Sequence, residues 1–308
     1  MINFTGKWRS VNEKTYPWLV AFNQIMEQTV VPLIHGDTIY VTSDYSGFHE
    51  DSKYTVITIL LADLKNCHDW EIQRRIIREK YLIRRKMAYK KLNDKQREVA
   101  LIPFLEAAGT INGLCASLII NKKIDGLITT RDTLHKLMQS TDIKGGWNIY
   151  EFERMSRVAH FVSLFLAGLS KPAMNIIWIT DDDEIVGGDG RKADCARLVS
   201  AFTSTYIRHE LGSLSMGTTA LDEGDFLEED FAAIPDLVAG TLSDIMTVIN
   251  SHGNWLDTEI TIDGEKIKSH RILSWLTHAP KRLCYVNIVF EHLGGTKIGL
   301  VPLELEYK

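Results

Sequence analysis

Aspartates stand at the ends of three stretches that read as regular structure. Asp44 follows T-I-Y-V-T-S, Asp181, Asp182 and Asp183 follow M-N-I-I-W-I-T, and Asp236 opens a helical pattern behind Pro235. Each has an ordinary explanation by itself. An Asp near Ser-Gly forms turns, an Asp in a first helical turn complements the helix dipole, and acidic loops are solvated. Brought together, the same carboxylates suit a hard divalent cation, which takes oxygen ligands from one or two carboxylates, water and substrate phosphate. Two such ions about 3.5 to 4 Å apart can hold the attacking and leaving oxygens of an in-line displacement at phosphorus.

A second feature is the charge distribution. The net charge is -5, yet eleven Lys or Arg residues lie between Arg74 and Arg97 against only Glu79 and Asp94. Part of the compensating charge sits in D-E-G-D-F-L-E-E-D, Asp222 to Asp230. Same-sign clustering without i,i+4 partners favours a face that contacts phosphate over a merely solvated helix. Arg84, Arg85, Lys90 and Lys91 are the candidate contacts to a nucleic acid backbone, and Tyr81 and Tyr89 could stack on bases or pack inward.

Other chemistries lack their residues. There is no G-x-x-x-x-G-K-[ST], no G-x-G-x-x-G after a strand and no H-E-x-x-H. S-L-S-M-G around Ser215 is not read as a hydrolase elbow, since a charged, helix-like segment precedes it. G-G-D-G at Gly187 to Gly190 reads as a turn. Cys67, Cys115, Cys195 and Cys284 are scattered without a C-x-x-C pair, which excludes a thiolate zinc site and a disulfide framework.

The elements that must position the acids follow from pattern. With 308 residues, 45% hydrophobic and 24% charged, the chain can bury a core. No run of about 20 apolar residues is present and the first residues lack a signal-peptide core, so a cytoplasmic protein without a membrane role is expected. Trp18 to Val31 reads as a lead-in helix; Thr38 onward and Tyr54 to Ala62 as strands. Ile72, Ile76, Ile83 and Met87 are expected on the buried face of a basic helix, with the arginines outside. Helices are expected at Lys95 to Ala108, Ile149 to Leu169, Ala193 to Tyr206 and Pro235 to Ile249, the last with Pro235 in its first turn. Strands are expected at Leu114 to Ile120 and Met174 to Thr180. Hairpins are expected around the Asp-Gly pair within residues 257–268 and around Gly294-Gly295. The order implies an α/β fold with a mixed sheet flanked by helices. Residues 1–36 form a helical lead, 37–250 the main domain and 251–308 a β-rich extension.

The motifs resemble a family. S-D-Y-S-G after a strand is similar to the D-E-S-G start of a prokaryotic family designated domain of unknown function 3800. I-P-D-L-V-A-G resembles its closing A-D-L-hydrophobic-A-G helix, and I-I-W-I-T-D-D-D-E its intermediate strand. The resemblance covers about Thr38 to Ile249. It implies a ribonuclease-H-like fold and a divalent-metal-dependent nuclease acting on DNA or RNA with Mg2+ or Mn2+. Its acids would be Asp44, Asp182 and Asp236, with Asp181 as substitute for Asp182. Tyr45 stands where the family has a second acid, and Lys86 to Leu92 carries lysines with no acid in the middle motif; Glu79 and Glu106 are alternatives. That incomplete set keeps a second expectation open, a catalytically silent nucleic-acid-binding or protein-interaction component of a bacterial defence or mobile-element system. An enzyme acting on a small phosphorylated molecule is a third. A protein partner or homo-oligomer is compatible with either of the first two.

Overall fold

The computed structural model describes residues 5–12, 15–128, 131–140, 143–181, 187–251, 267–278 and 281–305. Seven strands form one mixed sheet. They are β1 (Thr38–Ser46), β2 (Tyr54–Asp63), β3 (Gly113–Asn121), β4 (Asn175–Thr180), β5 (Ser213–Thr218), β6 (Leu283–His292) and β7 (Ile298–Pro302). Their spatial order is β5-β4-β1-β2-β3-β6-β7. β2 runs antiparallel to both β1 and β3, while β4 lies parallel to β1 and β5 parallel to β4. These five strands have the order and directions of a ribonuclease-H-like fold. β6 extends the sheet parallel to β3, and β7 returns antiparallel to β6.

Helices cover both faces, so strand residues alternate between two cores rather than between core and water. α1 (Leu19–Gln28), α4 (Arg131–Ser140), α5 (Ile149–Leu169) and α6 (Asp189–Tyr206) close over Ile39, Val41, Ile57 and Ile59. α2 (His68–Tyr81), α3 (Lys95–Ala108), α7 (Leu227–Ser251) and α8 (Ile267–Thr277) close over Tyr40, Val56 and Leu60. Within α7, Leu227–Ile249 is long and apolar enough to cross a membrane by length and composition, and 72% of its apolar window is buried in the protein. It is a core helix lying against the strands.

Several elements depart from the sequence pattern. β5 was hidden because S-L-S-M-G-T is a short edge strand of small residues. α7 begins eight residues before Pro235, which therefore sits inside the helix. A proline there has no N–H for the carbonyl four residues back. That carbonyl, Phe231 O, instead accepts a hydrogen bond from Thr42 Oγ1 of β1 at 3.2 Å. The expected hairpin at 257–268 lies outside the described residues, save that its last residues belong to α8.

The basic helix is turned the other way round. α2 ends at Tyr81, and its buried stripe is Trp70, Arg74, Ile77 and Arg78; Ile72, Ile76 and Ile83 are exposed. The spacing of Trp70, Arg74, Ile77 and Arg78 is as helical as that of the isoleucines, and partners decide between them. Arg74 pairs with Glu71, Asp225 and Asp230, and Arg78 with Asp230. Lys86 pairs with Glu229. The acidic run Asp222 to Asp230, distant in sequence, is thus the counter-charge of the basic segment. Lys86 to Leu92 is not helix but a loop with one 3-10 turn, Tyr89–Lys91.

Candidate functional site

β1, β4 and β5 end at the same edge, where the chain has turned from building one half of the sheet to the other. Ligands of open α/β sheets bind at such switch points, beyond the carboxyl ends of the strands. The register fixes what meets there. Ser43 lies opposite Thr180 and Thr180 opposite Thr218, so Asp44, Asp181 and Thr219 follow one another across three strands. Thr219 Oγ1 donates to Asp181 Oδ1 at 3.1 Å. Alternation along β1 turns Tyr40, Thr42 and Asp44 toward α7, and Ser43 and Tyr45 toward the other core. Tyr45 bonds Ser43 and Thr180 there, at 2.9 and 3.2 Å.

α7 supplies the facing acid. The Thr42 contact to Phe231 locks the helix onto β1, and two residues along the strand and five along the helix advance by similar amounts, about 7 Å. Asp236 accordingly faces Asp44. Burial pushes the Asp236 pKa up to about 6, against the N–H of Tyr89, which donates to Oδ2 at 2.6 Å. The Asp181 charge pushes it further up, and Lys90 and Asp44 draw it down.

Gly47 explains the glycine of S-D-Y-S-G. Its φ is +79°, and a Cβ would fall 2.3 Å from Tyr54 O, so the hairpin from β1 to β2 closes there only without a side chain.

Asp236 therefore faces Asp44 and lies in the field of Asp181, whereas Asp182 lies outside the described residues. The loop between α2 and α3 brings Lys90, not an acid, to the cluster. Of the four cations read as backbone contacts, Arg84, Lys90 and Lys91 are exposed and form no ion pair among the described residues; Arg85 is paired with Asp94 at 2.7 Å. Glu79 instead lines a cleft of about 450 Å³ with Arg75, Arg84 and Phe226.

A different acid group was not read from the sequence as a site. Asp222, Asp225 and Glu228 have ligand oxygens within 4.8 Å of one another. Asp222 Oδ1 accepts the Gly224 and Phe226 N–H groups at 2.8 and 2.9 Å, Asp225 Oδ1 accepts that of Leu227 at 2.9 Å, and Asp225 Oδ2 pairs with Arg74. Asp222 and Asp225 cap the start of α7 and Glu228 lies in its first turn, a sufficient account of acids there.

No family model matches the chain, and no curated protein does. Among solved structures it is similar to the PCNA:RNase HII complex from Archaeoglobus fulgidus at 11% identity, over 78% of this chain and 86% of that one, with a TM-score of 0.30.

Proposed function

We propose that the protein is a divalent-metal-dependent nuclease whose ligands are Asp44, Asp181 and Asp236, with Asp182 beside them in the chain. The observation that supports this reading is the placement of Asp44 and Asp181 on neighbouring strands beside Asp236 of α7, whose pKa burial and the Asp181 charge hold near 6. The donor set fits Mg2+ or Mn2+: all three groups offer hard carboxylate oxygens, and a cation would relieve the repulsion between Asp181 and Asp236. When bound, such an ion supplies a Lewis acid that polarises the phosphate and lowers the pKa of water.

The chain's own residues do the rest. Thr219 orients Asp181, and the Tyr89 N–H orients Asp236. Arg84, Lys90 and Lys91, exposed on the loop that carries Tyr89, hold the phosphates of DNA or RNA on either side of the scissile bond. The motifs resembling domain of unknown function 3800 support the same assignment, and a cytoplasmic enzyme fits it.

A second reading is a nucleic-acid-binding or protein-interaction component without cleavage, such as a part of a bacterial defence system. One observation favours it: Lys90 faces Asp236 from the loop where the family has an acid. Cleavage separates the two. The purified protein should cut single- or double-stranded DNA or RNA with Mg2+ or Mn2+, lose this with chelator, and lose it in Asp44→Asn and Asp236→Asn at unchanged melting temperature. Full cleavage by both variants would contradict the ligand assignment.

A further inference from the structure

We propose that Tyr89 is the positioning residue of the acid cluster, holding the Asp236 carboxylate in one orientation from an anchor two helical turns away. This rests on the function proposed above and names a residue that no motif singled out for that role.

Asp236, Gly240 and Asp244 are spaced by four, so they form one stripe along α7. Tyr89 lies along it. Its N–H donates to Asp236 Oδ2 at 2.6 Å, its ring crosses Gly240, and its hydroxyl donates to Asp244 Oδ2 at 2.6 Å. Eight residues are about 12 Å of helix, a distance that one tyrosine spans from main chain to hydroxyl with a hydrogen bond at each end. The hydroxyl also bonds Ser269 Oγ of α8 at 2.5 Å, and the Lys268 ammonium stands 4.3 Å from the ring centre. Burial and then the Asp244 carboxylate raise the phenol pKa, so it stays a donor.

The glycine of I-P-D-L-V-A-G is there for this contact. A Cβ on Gly240 would come within 2.3 Å of the Tyr89 ring. The consequence reaches the site in two ways. A carboxylate that accepts a main-chain N–H cannot rotate freely, so its other lone pairs keep a fixed direction. Lys90, the next residue, is carried into the field of Asp236 by the same anchor.

Four variants and two readouts test this. Tyr89→Phe removes the hydroxyl ties, and Gly240→Ala, a better helix former, forces the ring off the stripe. In metal-free protein the amide of residue 89 should exchange at least about tenfold faster in both variants than in wild type. Mn2+ affinity, read by titration calorimetry, should fall by roughly tenfold or more, as it does when a partner that orients a ligand is lost. Asp244→Asn still accepts the phenol proton and should preserve both values, whereas Asp244→Ala should not; a role in stability alone would track melting temperature rather than acceptor chemistry. Wild-type exchange of amide 89 in Tyr89→Phe and Gly240→Ala overturns the proposal. A wild type that binds no Mn2+ overturns the metal reading instead, and amide exchange then decides on Tyr89 by itself.

Discussion

Asp230 and Asp236 are six residues apart on α7, and burial pushes both pKa values up to about 6. Their surroundings are opposite. Asp230, fully buried, takes Arg78 on both oxygens at 2.5 Å and Arg74 at 3.4 Å. Asp236, half-buried on α7 beside β1, faces Asp44 and Asp181 and receives one main-chain N–H. The first carboxylate has its cations built in, and the second is arranged with other acids. A raised carboxylate pKa therefore does not by itself identify a site; the sign of the neighbouring charges does.

Neutralising each acid in turn separates the two surroundings. Asp230→Asn leaves two buried guanidinium groups short of their counter-charge and should cost about 3 to 5 kcal/mol by urea unfolding. Asp236→Asn removes a repulsion and should cost nothing measurable at pH 7.5. Equal losses in the two variants would mean that both acids are structural.

Thr42→Val tests the lock that brings Asp236 to Asp44. The shape is kept and the hydroxyl lost, leaving the buried Phe231 carbonyl without its donor, so about 1 to 3 kcal/mol should go. A loss below about 0.5 kcal/mol would show that α7 docks on β1 without this bond.

A smaller effect is the pH dependence. An unfolded Asp titrates near pH 3.9, so between roughly pH 4 and 6 the native state holds protons that the unfolded chain has released. That contribution to stability is complete below pH ~4 and lost as pH rises through ~6. Urea midpoints should decline over that window in wild type and less steeply in Asp236→Asn. Identical slopes would remove Asp236 as a titrating group there.

The smallest change concerns the cations. Replacing Arg84, Lys90 and Lys91 with Gln should reduce the salt dependence of nucleic acid binding by roughly 0.7 to 0.9 per lost phosphate contact. Arg85→Gln, which gives up only the Asp94 pair, should leave the slope unchanged, and the reverse pattern would place the interface elsewhere.

Much of the architecture was legible in the sequence because strong periodicity and local turn chemistry specify it. α5 spans Ile149–Leu169 as expected, and the Gly294-Gly295 hairpin joins β6 to β7. What sequence pattern could not reveal depended on partners far along the chain. The arginine stripe of α2 is buried only because Asp225 and Asp230 come to meet it. Pro235 looked like a helix start because nothing local announces that Thr42, 193 residues earlier, will satisfy Phe231 O. Asp44 and Asp236 were visible as candidates from their motifs. Tyr89 and Thr219 were not visible as their partners, since a main-chain N–H and a strand register leave no residue-type signal.

The most direct test of the account is Mn2+ uptake by the metal-free protein, compared among wild type, Asp236→Asn and Asp222→Asn. Titration calorimetry should find binding in wild type, its loss in Asp236→Asn and its retention in Asp222→Asn, because Asp222 Oδ1 already accepts two main-chain N–H groups and Asp225 already pairs with Arg74. Undiminished binding in Asp236→Asn, with loss in Asp222→Asn, would contradict the account and move the cation to the start of α7.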